Sequence, residues 1–186
     1  IDEKDMVPVG YSNLPQYSFS IKTGFSYKNF DVNILINGTR KGSFNLANYQ
    51  FTNAPFYQNA GNLMQWQYDG RWTPEKLANG EKILYPRATI NGGTGSNANF
   101  LPSDLWIISS NFNRLKNIEI GYTLPSISYL RKARISSIRI YGNGNNLATW
   151  GSKMMDFGID PEATDAGGRA VYPITRVFVF GANIRF

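Results

Sequence analysis

Apolar and polar residues alternate strictly from Tyr17 to Tyr27. Tyr17, Phe19, Ile21, Thr23, Phe25 and Tyr27 hold the odd positions; Ser18, Ser20, Lys22, Gly24 and Ser26 hold the even ones. A period of two puts the two sets on opposite faces of a β-strand. After Lys28-Asn29 the alternation resumes as Phe30, Val32, Ile34 and Ile36 against Asp31, Asn33 and Asn37, with only Leu35 out of phase. The pattern predicts two long strands joined by a tight hairpin. A third strand is predicted from Phe112 to Leu124, with Phe112, Arg114, Lys116, Ile118, Ile120 and Tyr122 opposite Asn113, Asn117, Glu119 and Gly121. Pro125 ends it, and a short connector runs to Arg134. A fourth strand is predicted around Ser136 to Asn145, with Ile138 and Ile140 opposite Ser137, Arg139 and Tyr141. The last strand ends the chain, with Phe178, Phe180, Ala182, Ile184 and Phe186 on one face. The expectation is about five long strands and no long helix.

Two stretches break the pattern. Residues 38–104 are rich in Gly, Pro and Asn, with room for short helices around 63–67 and 74–77. A loop this long inside a compact domain is more often functional than filler. A second Gly- and Asp-rich loop is expected over 151–170.

Alternating faces suit two environments. In a soluble sandwich the apolar faces of two sheets meet in a core. In an outer-membrane barrel they face lipid, and the polar faces line a wet lumen. Strands of about ten residues match a tilted bilayer crossing. Short turns at 28–29 and 125–134 alternate with the long loops, as periplasmic turns alternate with extracellular loops. Aromatic residues fall near strand ends (Tyr17, Phe25, Tyr27, Phe30, Phe112, Tyr122, Phe178, Phe186), as in the girdles at membrane interfaces. Arg114 and Lys116 fit less well. They share parity with Ile118 and Ile120, and so require either a place at the outer end of the strand or a bulge. A barrel needs at least about eight strands, so five must complete a barrel built mostly from other sequence. A five-crossing path that starts outside leaves the C-terminus in the periplasm.

Composition narrows the chemistry. The 186 residues contain no Cys and no His. That excludes disulfides, a thiolate nucleophile, a histidine general base and the usual Cys/His zinc sites. The net charge of +6 is scattered along the chain rather than clustered, so no nucleic-acid partner is expected. No apolar run approaches the roughly 20 residues of a transmembrane helix. The glycine run at 91–97 lacks the Gly-Lys-Ser/Thr of a phosphate loop. Asp156, Asp160, Glu162 and Asp165 read as an acidic surface loop, since nothing in the sequence would raise the pKa of one of them selectively. Asp2, Glu3 and Asp5 have the spacing of a calcium-loop tail without its upstream ligands, and the sequence leaves calcium there open. No catalytic residue, metal site or cofactor is expected. Ile1-Asp2-Glu3-Lys4-Asp5-Met6 shows neither an initiator Met nor a signal-peptide pattern, so a leader removed by processing or a longer parent chain is expected.

A series of short tags gives the chain a family likeness. They begin with Ile1-Asp2-Glu3-Lys4-Asp5-Met6-Val7-Pro8-Val9-Gly10 and the tight turn Tyr27-Lys28-Asn29-Phe30-Asp31-Val32. Arg71-Trp72-Thr73-Pro74-Glu75 and Arg114-Leu115-Lys116-Asn117-Ile118-Glu119-Ile120-Gly121-Tyr122 follow. Ile138-Arg139-Ile140-Tyr141 with Asn146-Leu147-Ala148-Thr149-Trp150, then Asp160-Pro161-Glu162 and terminal Phe186, complete the series. In this order the chain resembles the C-terminal part of SusC/RagA-type TonB-linked outer-membrane transporters. One departure is Glu75-Lys76, where the family often has Glu-Asn.

The resemblance implies an all-β fold: residues 1–186 as the C-terminal segment of a transmembrane β-barrel of about 22 strands, with 38–104 and 151–170 as extracellular loops. It implies import of large nutrients, oligosaccharide or peptide, rather than catalysis. The implied partners are the N-terminal remainder of the barrel and its plug, absent from this chain; a SusD/RagB-like lipoprotein; the TonB complex; and outer-membrane lipid. Phe186 would then belong to the signal read by the barrel-assembly machinery. Trp66, Tyr68, Trp72 and Tyr85 are candidates for substrate or partner contact, because aromatic faces stack on sugars and anchor interfaces. Packing of the loop on itself is the alternative role. A soluble carbohydrate-binding β-sandwich is the competing reading of the whole chain, and a passive porin a third.

Overall fold

A computed structural model describes residues 6–46, 64–88, 103–125, 132, 134–162, 172 and 174–186. The chain divides into two compact units. One comprises Tyr17–Arg40, Phe112–Ser152 and Ile174–Phe186; the other comprises Ile1–Gln16, Lys41–Asn111 and Lys153–Pro173.

The first unit is a single antiparallel sheet. Its strands are β1 (Tyr17–Tyr27), β2 (Phe30–Arg40), β5 (Phe112–Thr123), β6 (Ser137–Trp150) and β7 (Val177–Arg185), hydrogen-bonded in that order. Each large strand therefore pairs with the next large strand along the chain. The hairpin falls where the alternation breaks: Tyr27 faces Phe30 across Lys28-Asn29, and Lys28 takes a left-handed φ of 54° that closes the turn. β6 runs five residues beyond its expected end at Asn145. Gly142 and Gly144 interrupt its apolar series, which is why its alternation fades in the sequence.

Register exposes a bulge. Leu35 of β2 faces Asn117 of β5, yet Ile36 faces Leu115, so Lys116 is an extra residue. The β5–β6 register shifts at the same place. An inserted residue reverses side-chain parity. Ile118, Ile120 and Tyr122 pair with Ile34, Val32 and Phe30, whereas Arg114 pairs with Asn37 and Phe112 with Thr39. Of the two arrangements open for Arg114, the bulge is the one formed, and it moves Arg114 to the polar face. It also moves Phe112 there, away from the aromatic girdle proposed for it.

The second unit contains the short pair β3 (Ser43–Asn45) and β4 (Ile107–Ser109), helices α1 (Gln65–Gly70) and α2 (Pro74–Ala78), and a 3-10 turn at Met154–Phe157. The two helices lie close to the two short segments expected. Thr73 caps α2 by accepting from the Lys76 amide at 3.2 Å, Pro74 occupies its first turn and Glu75 its positive end. Leu46, Trp106, Met154 and Ile159 form the core of this unit, with Phe44, Trp66, Tyr85, Ile108 and Phe157 packed around it. The expected irregular loop thus has a hydrophobic core of its own.

Candidate functional site

Strand pairing sorts the sheet into two chemically different faces. On the apolar face lie Tyr17, Ile21, Phe25 and Tyr27 of β1 and Phe30, Val32, Ile34 and Ile36 of β2. They are joined by Leu115, Ile118, Ile120 and Tyr122 of β5, Ile140 of β6, and Phe178, Phe180, Ala182 and Ile184 of β7. Most of these large side chains are exposed, Phe180 at 82% and Phe25 at 63%. Phe30 and Tyr122 contact each other at the hairpin end, with centroids 4.6 Å apart. In water, each such side chain left uncovered forgoes about 1.5–3 kcal/mol of burial. A soluble sandwich needs a second large sheet over this face. Among the described residues the only other sheet is the three-residue pair β3–β4.

The opposite face carries a connected polar network. Arg139 of β6 reaches across β5 to β2, its Nε donating to Asp31 Oδ1 at 2.9 Å and its Nη2 to Asp31 Oδ2 at 2.5 Å. The same Nη2 donates to Glu119 Oε1 at 2.7 Å. Asn143 links to Glu119 Oε2 at 3.4 Å, and Asn117 donates to the side-chain oxygens of Asn143 and Asn145, each at 2.9 Å. Gly121 makes the crossing possible: a Cβ there would lie 2.3 Å from Arg139 Nη2. Farther along the face, buried Arg114 donates from Nε to Thr149 Oγ1 at 2.9 Å. Leu35, Phe112, Val177 and Val179 are apolar exceptions on this side. Sequence parity had already put Asp31, Glu119 and Arg139 among the polar positions. Their union across three strands spans up to 108 residues of sequence and had no local signal.

The four contact candidates all lie in the second unit, in two kinds of surroundings. Trp66 packs edge-on against Tyr85 (4.9 Å) and Phe157 (5.0 Å), and Tyr85 stacks on Trp106 (5.9 Å). Burial pushes the Tyr85 phenol above its ordinary pKa. Tyr68 is half exposed, with the Arg71 guanidinium 3.7 Å above its ring. Trp72 borders a cleft with Arg71, Thr73, Pro74, Glu75, Arg87 and Ala88. Trp106, Leu46 and Met154, the most buried side chains here, were not singled out in the sequence, since no periodicity marks them.

Among the described residues, no group of three or more His, Cys, Asp or Glu is placed to hold a metal. Asp160 Oδ1 accepts from the Glu162 amide at 2.9 Å, a local turn, and Asp156 meets Lys153 at 3.6 Å. Asp2, Glu3, Asp5, Asp165 and the 91–97 glycine run lie outside the described residues. Phe186, just past the end of β7, is 86% exposed.

No protein-family model matches the chain. Two TonB-dependent receptors of Formosa agariphila are similar to it. Receptor P26 is 26% identical over 198 residues, covering 100% of this chain and 18% of the relative. Receptor P3 is 26% identical over 185 residues, covering 92% and 16%. Among solved structures, the RagAB peptide importer in its open-open state superposes with a TM-score of 0.65 at 22% identity, over 95% of this chain and 18% of that one. The RagAB peptide transporter gives 0.64 at 23% identity, over 94% and 17%. The chain thus spans a small part of the length of the proteins it matches, and its sheet has the fold found in them.

Proposed function

We propose that the chain is of the SusC/RagA type of TonB-dependent receptors, a reading supported by its likeness to two TonB-dependent receptors and to the RagAB fold, and that its sheet is the C-terminal wall of a transmembrane barrel importing large nutrients. The observation that carries this reading is the two-faced sheet. Its apolar face lies uncovered over all five strands, while its polar face is cross-linked by hydrogen bonds. Lipid is the solvent that makes such an apolar face favourable, and a wet lumen suits the other.

In this proposal residues 1–186 contribute five of about 22 strands, and the rest of the barrel pairs with β1 and β7 so that no edge is left in lipid. The hairpin end and the C-terminus lie on the periplasmic side, with 38–104 and 151–170 outside. A SusD/RagB-like lipoprotein caps the barrel, a plug fills it, and the TonB complex supplies the energy. The RagAB peptide importer supports a peptide as cargo class by analogy; an oligosaccharide fits the same architecture. Trp66, Tyr68, Trp72 and Tyr85 form the proposed contact region. Trp66 and Tyr85 hold its shape, while Tyr68 offers an exposed ring and Trp72 lines the adjoining cleft. Phe186 contributes to the assembly signal.

The test is to express the full-length receptor, fractionate the cells and run the membranes on a gel with and without boiling. A heat-shifted band in the outer membrane is expected. Recovery of the full-length protein in the soluble fraction would overturn the reading in favour of the sandwich.

A further inference from the structure

The cleft beside Trp72 has a chemistry of its own. Its frame is rigid, because the 70–72 segment is hydrogen-bonded to 84–85: Leu84 and Tyr85 amides donate to Gly70 O, and the Trp72 amide donates to Tyr85 O, all at 2.9 Å. This pairing brings Arg71 and Trp72 alongside Arg87, and the cleft encloses about 240 Å³. That is below the roughly 300–1,000 Å³ of drug-sized sites, and suits a single ring or side chain. Arg71 is held by its stack on Tyr68 and by a hydrogen bond to the Tyr68 carbonyl. Among the described residues, neither Arg71 nor Arg87 has a carboxylate within salt-bridge distance.

Resting on the reading of this unit as an extracellular part of a nutrient transporter, we propose that the cleft is a subsite for an acidic sugar residue of an oligosaccharide. Arg71 and Arg87 take its carboxylate or sulfate, Trp72 meets the ring, and Glu75 accepts from its hydroxyls. Planar guanidinium groups suit either anion, through paired charge-assisted hydrogen bonds. Glu75 decides between a sugar and an acidic peptide. Its own backbone N–H, then the Thr73 hydroxyl, and last the nearby charge of Arg71, hold its carboxyl below the usual carboxylate range. The anion of a sugar and the side chain of an Asp or Glu are alike acceptors only, but the sugar anion shares its ring with hydroxyls, whereas an acidic side chain carries no donor beside its carboxylate. A sugar hydroxyl donates as well as accepts, and so satisfies both Glu75 and the arginines.

Calorimetry on the full-length receptor in detergent tests this with four probes: tetragalacturonate, its methyl ester, a sulfated carrageenan tetrasaccharide and tetraglutamate. At least one acidic sugar should bind, and the two acidic sugars tell carboxylate from sulfate as the preferred anion. Arg87→Gln, at an exposed position, should weaken that binding at least tenfold, and Arg71→Gln likewise. The methyl ester and tetraglutamate should bind at least tenfold more weakly than the best acidic sugar, and Glu75→Gln should improve tetraglutamate binding. The proposal is overturned if no acidic sugar binds, if both arginine variants bind as wild type, or if tetraglutamate binds equally well. In each of those cases a retained heat-shifted band shows that the barrel reading still stands. Loss of that band in the unmodified receptor would instead remove the transporter reading, and the proposal with it.

Discussion

Replacing Gly121 with Ala should destabilise the five-stranded sheet, even though the substitution usually favours a strand. Alanine in a strand interior is better than glycine by about 0.5–1 kcal/mol, because it loses less backbone freedom on folding. Here the new Cβ would lie 2.3 Å from Nη2 and 2.5 Å from both Cζ and Nε of Arg139. The guanidinium must leave its path over β5, losing both hydrogen bonds to Asp31 at 2.9 and 2.5 Å. A buried hydrogen bond to a charged group contributes roughly 1.5–3 kcal/mol. The side chains of Arg139 and Asp31 are each 23% exposed, so water recovers part of that. Halving the sum leaves a loss of about 1.5–3 kcal/mol, and a net cost of about 0.5–2.5 kcal/mol after the backbone gain. In an Arg139→Gln background nothing long occupies the space, and Gly121→Ala should become neutral or stabilising by up to about 1 kcal/mol. The assay is a urea titration of the full-length receptor in detergent, read by the heat-shifted band and far-ultraviolet circular dichroism. If Gly121→Ala raises the urea midpoint in the wild-type background too, Arg139 does not cross β5 over Gly121.

Deleting Lys116 removes the bulge and turns Arg114 toward the apolar face, so surface levels of the receptor should fall sharply. Lys116→Ala keeps the extra residue and should leave them near wild type, as quantitative surface labelling would show. Phe180→Arg puts a charge on the apolar face and should cost about 2–4 kcal/mol if it lies near the midplane, falling toward zero at an interface; the urea titration measures it. Trp106→Ala, in the core of the second unit, should cost that unit about 3–5 kcal/mol. Limited proteolysis should then cut within 64–111 while the heat-shifted band persists. Deleting Phe186 should reduce surface levels more than Ile184→Val, which keeps the apolar face of β7; equal levels would leave the terminal ring without a role in assembly. Trp72→Ala should weaken co-purification of a capping lipoprotein with the barrel intact, and unchanged capture would confine Trp72 to the cleft.

How much was legible in the sequence followed from how far apart the cooperating residues lie. Alternation is a property of the local backbone, so β1, β2 and β7 and the turn at Lys28-Asn29 could be read from consecutive residues. The apolar face followed from the same period, as did the polar parity of Asp31, Glu119 and Arg139, whereas its exposure is seen only in the folded sheet. The side on which Arg114 falls did not, because a single inserted residue at Lys116 reverses parity, and only the registers with β2 and β6 locate it. The Arg139 crossing likewise depends on Gly121 lying between β6 and β2, which only strand order establishes. In the second unit, Leu46, Trp106 and Met154 converge from three distant segments that share no period. Trp66 and Tyr85, marked in the sequence only as conspicuous aromatics, acquire their packing role from that convergence. Strand identity was therefore set by neighbours along the chain. Register, the polar network and the core of the second unit were decided by pairing and burial between segments that meet only in the folded protein.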